Sequence, residues 1–176
     1  MRHLIVLATL FFTYHIHLFA HPKGSGGASI VTTANYVAAS GVSSTVAGGA
    51  LAKAYGDYST VSGGSNNVAG QNYSTVSGGA TNHITGTSAN DTHATIGGGY
   101  RNYLDNSYYS VISAGAINRM TSADYGVIGG GWANEIAADA DYSSLLGGRL
   151  NLISGDYSSI LGGRGVYRCF CKNING

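Results

Sequence analysis

From Val61 to Ile160 an apolar residue recurs along this chain at short and regular intervals. The series reads Val61, Val68, Val76, Ile84, Ile96, Leu104, Ile112, Met120, Ile128, Ile136, Leu145, Ile153 and Ile160. Apart from the step from Ile84 to Ile96, successive members lie seven to nine residues apart. A unit of about eight residues holds one strand of three to five residues and a tight turn. Glycine recurs too often for a helix, and the β-branched residues sit in short runs that suit strands.

The spacing reflects a longer repeat. Tyr58-Ser59-Thr60-Val61-Ser62-Gly63-Gly64 returns as Tyr73-Ser74-Thr75-Val76-Ser77-Gly78-Gly79. Altered copies start at Ser43, His93, Tyr109, Tyr125, Tyr142 and Tyr157, which makes eight in all. Their starts lie 15, 15, 20, 16, 16, 17 and 15 residues apart, so extra residues near Thr87–Asp91 must leave the repeat as a loop. A second half-unit carries Asn67, Asn82, Asn102, Asn118, Asn134 and Asn151, each followed closely by an apolar residue. Fixed-period self-similarity marks a solenoid. The expected fold is all-β: a β-solenoid (β-roll) of about eight coils of 15–17 residues, with two short strands per coil. Gly and Asn supply the corners. At ~4.8 Å per coil the rod is roughly 40 Å long.

Only 10% of residues are charged, against about 25% in ordinary domains, so Ser, Thr, Asn, Tyr and Gly must build the surface. A net charge of +1 with 44% apolar residues argues against disorder. Near-neutrality also removes the footprint of a nucleic-acid partner. Residues 1–20 read as a signal peptide, with Arg2 and His3 before the apolar run Leu4–Phe12. That run is too short to span a membrane, so no membrane insertion is expected after cleavage, and the localisation expected is secreted. Residues 21–42 read as a flexible lead-in, 43–165 as the repeat domain, and 166–176 as an irregular basic tail holding Cys169 and Cys171.

The Ser-Thr-Val-Ser-Gly-Gly blocks, with Asn82-His83-Ile84-Thr85-Gly86, resemble the head repeats of trimeric autotransporter adhesins. Asn67-Val68-Ala69-Gly70 and Asn82–Gly86 also resemble the Asn-x-Val-x-Gly repeats of grass ice-recrystallisation-inhibition proteins. The resemblance covers roughly residues 43–165, and it implies a left-handed β-roll. An adhesin of that group continues into a neck, a heptad stalk and a membrane barrel, patterns that residues 166–176 lack.

Alternation about the inward residues defines what faces out. On the first face the candidate binding positions are Thr45, Thr60, Ser62, Thr75, Ser77, Thr95, Val111 and Val127. This row is Thr-rich at first and drifts to Val, Ser and Leu. A flat binding or self-association surface and simple strand preference both account for it. The second face, read as Asn67, His83, Tyr103, Arg119, Glu135 and Leu152, has no repeated chemistry. Tyr58, Tyr73, Tyr109, Tyr125, Tyr142 and Tyr157 form a ladder, with His93 in one slot, suited to ring packing or to adhesive contact. Asp57, Asn72, Asp124, Asp141 and Asp156 precede it; their spacing lacks the calcium-roll pattern and fits turn formation. Asn72 and Asn90 head sequons and are candidate glycosylation sites.

Catalysis needs convergent groups in a pocket, and beyond His21 only His83 and His93 remain as histidines. The expectation is therefore no enzyme, no cofactor and no metal. The expected role is a secreted structural or adhesive repeat protein, resembling an adhesin head or an extracellular-matrix component. Its partners would be other copies of itself, as a homo-oligomer or matrix assembly, or an extracellular surface. The alternative is ice binding through the Thr ladder.

Overall fold

In a computed structural model, the described residues are 16–19, 29–32, 38–86 and 93–168. Most of the expected signal peptide, residues 87–92 with Asn90, and Cys169 and Cys171 lie outside them. Ile16–Phe19 pairs antiparallel with Ser29–Thr32.

The chain is an all-β solenoid of about eight coils built from two parallel sheets. The eight-stranded sheet runs from Thr45–Val46 through Thr60–Val61, Thr75–Val76 and Thr95–Ile96 to Ser159–Ile160. The nine-stranded sheet runs from Ala38–Ala39 to Tyr167–Arg168. Stacked strands therefore reach slightly beyond the expected 43–165 at both ends. Each strand pairs with its equivalent one coil away, so the strand backbone groups bond to the neighbouring coils. The strands are only two or three residues long because a corner follows every inward side chain.

Between the sheets lies one column of side chains from each. The eight-stranded sheet contributes Val46, Val61, Val76, Ile96, Ile112, Ile128, Leu145 and Ile160. The nine-stranded sheet contributes Ala54, Ala69, Ile84, Leu104, Met120, Ile136 and Ile153. One expectation needs correction here. Val68 does not point inward; Ala69 does, because Ala69 is in register with Ile84 and Val68 with His83.

The asparagines fix that register. Asn67, Asn82, Asn102, Asn118, Asn134 and Asn151 are all buried. Asn82 Nδ2 donates to Gly78 O in its own coil (2.9 Å) and to Gly99 O in the next (3.0 Å). Its Oδ1 accepts the N–H of Asn102 at 3.0 Å. The other members repeat this pattern. A buried amide without partners costs ~1–3 kcal/mol; here every one is satisfied. Asn67, which alternation placed on the outer face, belongs to this internal ladder.

Coil length varies on one side only. From each Tyr, or His93, to the following Asn is always nine residues. From Asn to the next Tyr is six, seven or eight, and eleven across residues 87–92. The extra residue of the longer coils is accommodated at Asn106, Ser122 and Asp139, each with positive φ.

Candidate binding surfaces

The outer row of the eight-stranded sheet brings Thr45, Thr60, Thr75 and Thr95 into consecutive register, followed by Val111, Val127, Ser144 and Ser159. A parallel row holds Ala47, Ser62, Ser77, Gly97, Ser113, Gly129, Leu146 and Leu161. Its N–H groups continue the ladder, as in Ser62 N–H to Val76 O and Ser77 N–H to Ile96 O, both 3.0 Å. The sequence-derived positions therefore share one face, and none of its described outer residues is charged. Its far end is apolar and open: Val127 is 37% exposed, Leu146 53% and Leu161 80%.

The tyrosines form a continuous stack on one edge. From Tyr58 through Tyr73, His93, Tyr109, Tyr125 and Tyr142 to Tyr157, centroids lie 4.8–5.3 Å apart and rings within 19° of parallel. Every one of these residues has positive φ, between 45° and 56°. That backbone costs a non-glycine residue ~1–2 kcal/mol. Ring stacking, ~0.5–1.5 kcal/mol per pair, offsets much of it. The same corner turn is kept in every coil, and aromatic rings occupy seven consecutive copies of it.

The acidic column beside the stack links coil to coil. Asp57 Oδ1 accepts the Val42 N–H (2.7 Å), Asn72 Oδ1 that of Asp57 (2.9 Å), and Asp124 Oδ1 that of Tyr108 (2.9 Å). Asp141 and Asp156 continue with the N–H groups of Asp124 and Asp141. Partial burial pushes the Asp124 carboxyl up from its ordinary range; the Tyr108 N–H opposes this and Asp141 adds to it. Desolvation in the stack, then the flanking Tyr125 and Tyr157, pushes the Tyr142 hydroxyl up.

Asn72 is thus part of the corner, and the hydroxyl of its sequon partner Ser74 is buried, donating to Gln71 O at 2.6 Å. The outer row of the nine-stranded sheet is mixed: Lys53, Val68, His83, Tyr103, Arg119, Glu135 and Leu152. His83 Nε2 lies 3.1 Å from Asn66 O, and burial first, then Lys53, lowers its pKa against that contact.

A fourth surface was missed by sequence reasoning. The opposite corner stacks the residue after the second glycine into a bridged column: Ala50, Ser65, Ala80, Tyr100, Ala116, Trp132, Arg149 and Arg164. The Arg149 guanidinium lies 4.5 Å from the Trp132 ring centroid, and that of Arg101 5.9 Å from Tyr100. Aligning the residue that follows each Gly pair would have found it. Repeat reading concentrates on what recurs, and here the identity changes while the position recurs.

Chemically, these surfaces offer contact. Among the described residues no three His, Cys, Asp or Glu side chains converge as a metal site, and His83 and His93 belong to a sheet face and an edge stack respectively. No helix among the described residues is long and apolar enough to cross a membrane. No protein-family model matches the chain, and a search of curated proteins finds no significant match.

Proposed function

We propose that this chain is a secreted structural or adhesive repeat protein, without enzymatic activity, that works through the uncharged face of its eight-stranded sheet. The observation that carries this reading is the in-register outer surface of Thr, Ser and Val, ending in the exposed Leu146 and Leu161. A thin core of one side chain per half-coil gains from covering such a face, because apolar burial contributes about 25 cal/mol per Å². The partner is another copy of the face or an extracellular surface of similar character.

Light scattering on the secreted full chain tests it. The expected result is a concentration-dependent oligomer that the variant L146S/L161S weakens, or adsorption to extracted matrix that the same variant weakens. A monomer that adsorbs to nothing would overturn it. A second reading, ice binding, draws on the four consecutive Thr rungs. Inhibition of ice recrystallisation at micromolar protein, lost in Thr75→Tyr, would favour it over the first.

A further inference from the structure

Each coil passes from one sheet to the other and back, so its two corners lie on opposite edges of the roll. Lys53, Arg119, Glu135 and Arg168 belong to strands of the nine-stranded sheet, and most of the other described charges divide between those edges. Five of the six described aspartates lie on the tyrosine edge, Asp57, Asp124, Asp139, Asp141 and Asp156, and the sixth, Asp105, ends a strand of the nine-stranded sheet. Arg101, Arg149 and Arg164 lie on the glycine edge. Among the described residues no carboxylate is ion-paired with Arg or Lys within the chain.

In the last two coils the division is matched within each coil. One coil carries Asp141 on one edge and Arg149 on the other, and the next carries Asp156 and Arg164. Coil spacing is the same on both edges because both belong to the same stack; the rings of Tyr125, Tyr142 and Tyr157 follow at 4.8 and 5.0 Å. A second copy moved sideways without rotation therefore sets its Arg149 and Arg164 opposite Asp141 and Asp156 together. A two-fold arrangement of edges would instead place like charges together. A reversed neighbour would meet the first coils, where Asp57 is the only aspartate of the column. Trp132 holds the Arg149 guanidinium over its ring, which limits the freedom lost on pairing.

We propose that copies of this chain associate laterally, edge to edge and in register, the aspartate–tyrosine edge of one against the arginine–tryptophan edge of the next. The contact is heterologous and repeats by translation, so it builds an open ribbon instead of a closed oligomer. It leaves the uncharged face free, and it stands independently of what that face binds.

The molecule supplies its own mild substitutions for the test. Asn72 occupies the aspartate column and still accepts the cross-coil N–H, so D124N/D141N/D156N removes charge and keeps the corner. Ala80, Ala116 and Thr81 occupy the arginine positions of other coils, which makes R101T/R149A/R164A equally mild. Sedimentation velocity on the full chain is expected to show assembly that dissociates above about 0.5 M salt, where surface charges are screened. Each triple variant should associate on the order of tenfold more weakly while still unfolding in one cooperative transition. The decisive sample is their equimolar mixture. One variant retains its arginine edge and the other its aspartate edge, so a complex should reappear and stop at two chains. Register is read separately in Arg149→Lys treated with carbodiimide, which should link Asp141 of one chain to the amine at position 149 of another. A wild-type monomer at low salt, or a mixture that stays monomeric, would overturn the proposal. So would loss of association in the arginine variant alone, the mark of an external polyanion. Association that ignores both triple variants but is lost in L146S/L161S would support the face and sink the edges.

Discussion

The two edges of the roll solve one problem, turning the chain every eight residues or so, in different ways. Across the glycine edge the distance from Tyr to Asn never varies; across the tyrosine edge the distance from Asn to the next Tyr or His takes several values along the sequence. The difference follows from what is buried. An Asn amide must reach a carbonyl four residues back and another in the next coil, and both geometries fail if the corner gains a residue. Aspartates and ring stacks on the other edge bond only across coils, so residues inserted before them leave those bonds intact. A solenoid of this kind is measured out by its buried amides.

The sharpest way to break the comparison is to lengthen each edge in turn. One glycine inserted between Arg149 and Leu150 separates Asn151 from Gly147, whose carbonyl it bonds at 3.0 Å. A loss of ~4 kcal/mol or more is expected, as for other broken buried networks. The same insertion between Ala138 and Asp139, on the tyrosine edge, should cost under ~1 kcal/mol, in line with slow loop-length penalties. Urea denaturation of both variants measures this. Equal losses would refute the distinction.

Single side chains repeat the contrast on a smaller scale. Asn118→Ala strands the Asn134 N–H and the Ala114 carbonyl, and should lower unfolding free energy by ~3 kcal/mol, since buried unpaired groups cost ~1–3 kcal/mol each. Asp141→Ala removes one partly exposed bond to Asp124 N–H and should cost ~1 kcal/mol.

Most of the fold was legible in the sequence because the roll reuses one solution. Val61, Val76 and Ile96 recur at fixed distance from Gly pairs, and their strands stack as the repeat requires. The slip at Val68 has a plain cause. Hydrophobicity favours Val over the neighbouring Ala, but the position of Asn67 decides the register, and aligning the asparagines before the apolar residues would have selected Ala69. Recurrence of Asn was visible, whereas its burial was not, because an amide buried with every bond satisfied looks in sequence like a turn residue. Left-handed backbone at Tyr58 and its successors was equally hidden, since tyrosine has no preference for it and only the stack sustains it. On the candidate faces, the Thr row was readable by alternation. The Arg149–Trp132 edge was not, because it has a recurring position and no recurring residue.

One amide falls outside the ladder and sharpens what satisfaction is worth. Gln71 is buried on the tyrosine edge, and neither Oε1 nor Nε2 has a hydrogen-bond partner. Its amide lies close to Gly86. Gln71→Met keeps the volume and removes the unpaired groups, so a gain of ~1 kcal/mol is expected. Any loss of stability in a denaturant titration would mean that the amide is bonded in solution.

The smallest effect concerns charge in the aspartate column. The Asp124 carboxyl is raised above its ordinary value of 3.8, chiefly by burial and further by Asp141. A raised carboxyl means that the folded chain holds its proton to higher pH than the unfolded chain does. Stability from this group is therefore present at low pH and falls as pH rises through the folded value. At pH 7 the charge is a mild burden, which the Tyr108 N–H only partly relieves. Asp124→Asn keeps that hydrogen bond, as Asn72 does one column position away from Asp57, and it removes the charge. The urea midpoint of the variant should exceed that of the parent at pH 7, and the gap should close towards pH 3. A variant less stable at pH 7 would mean that the N–H prefers a carboxylate strongly enough to outweigh burial. The tyrosine edge would then owe part of its tolerance to charge and not to geometry alone.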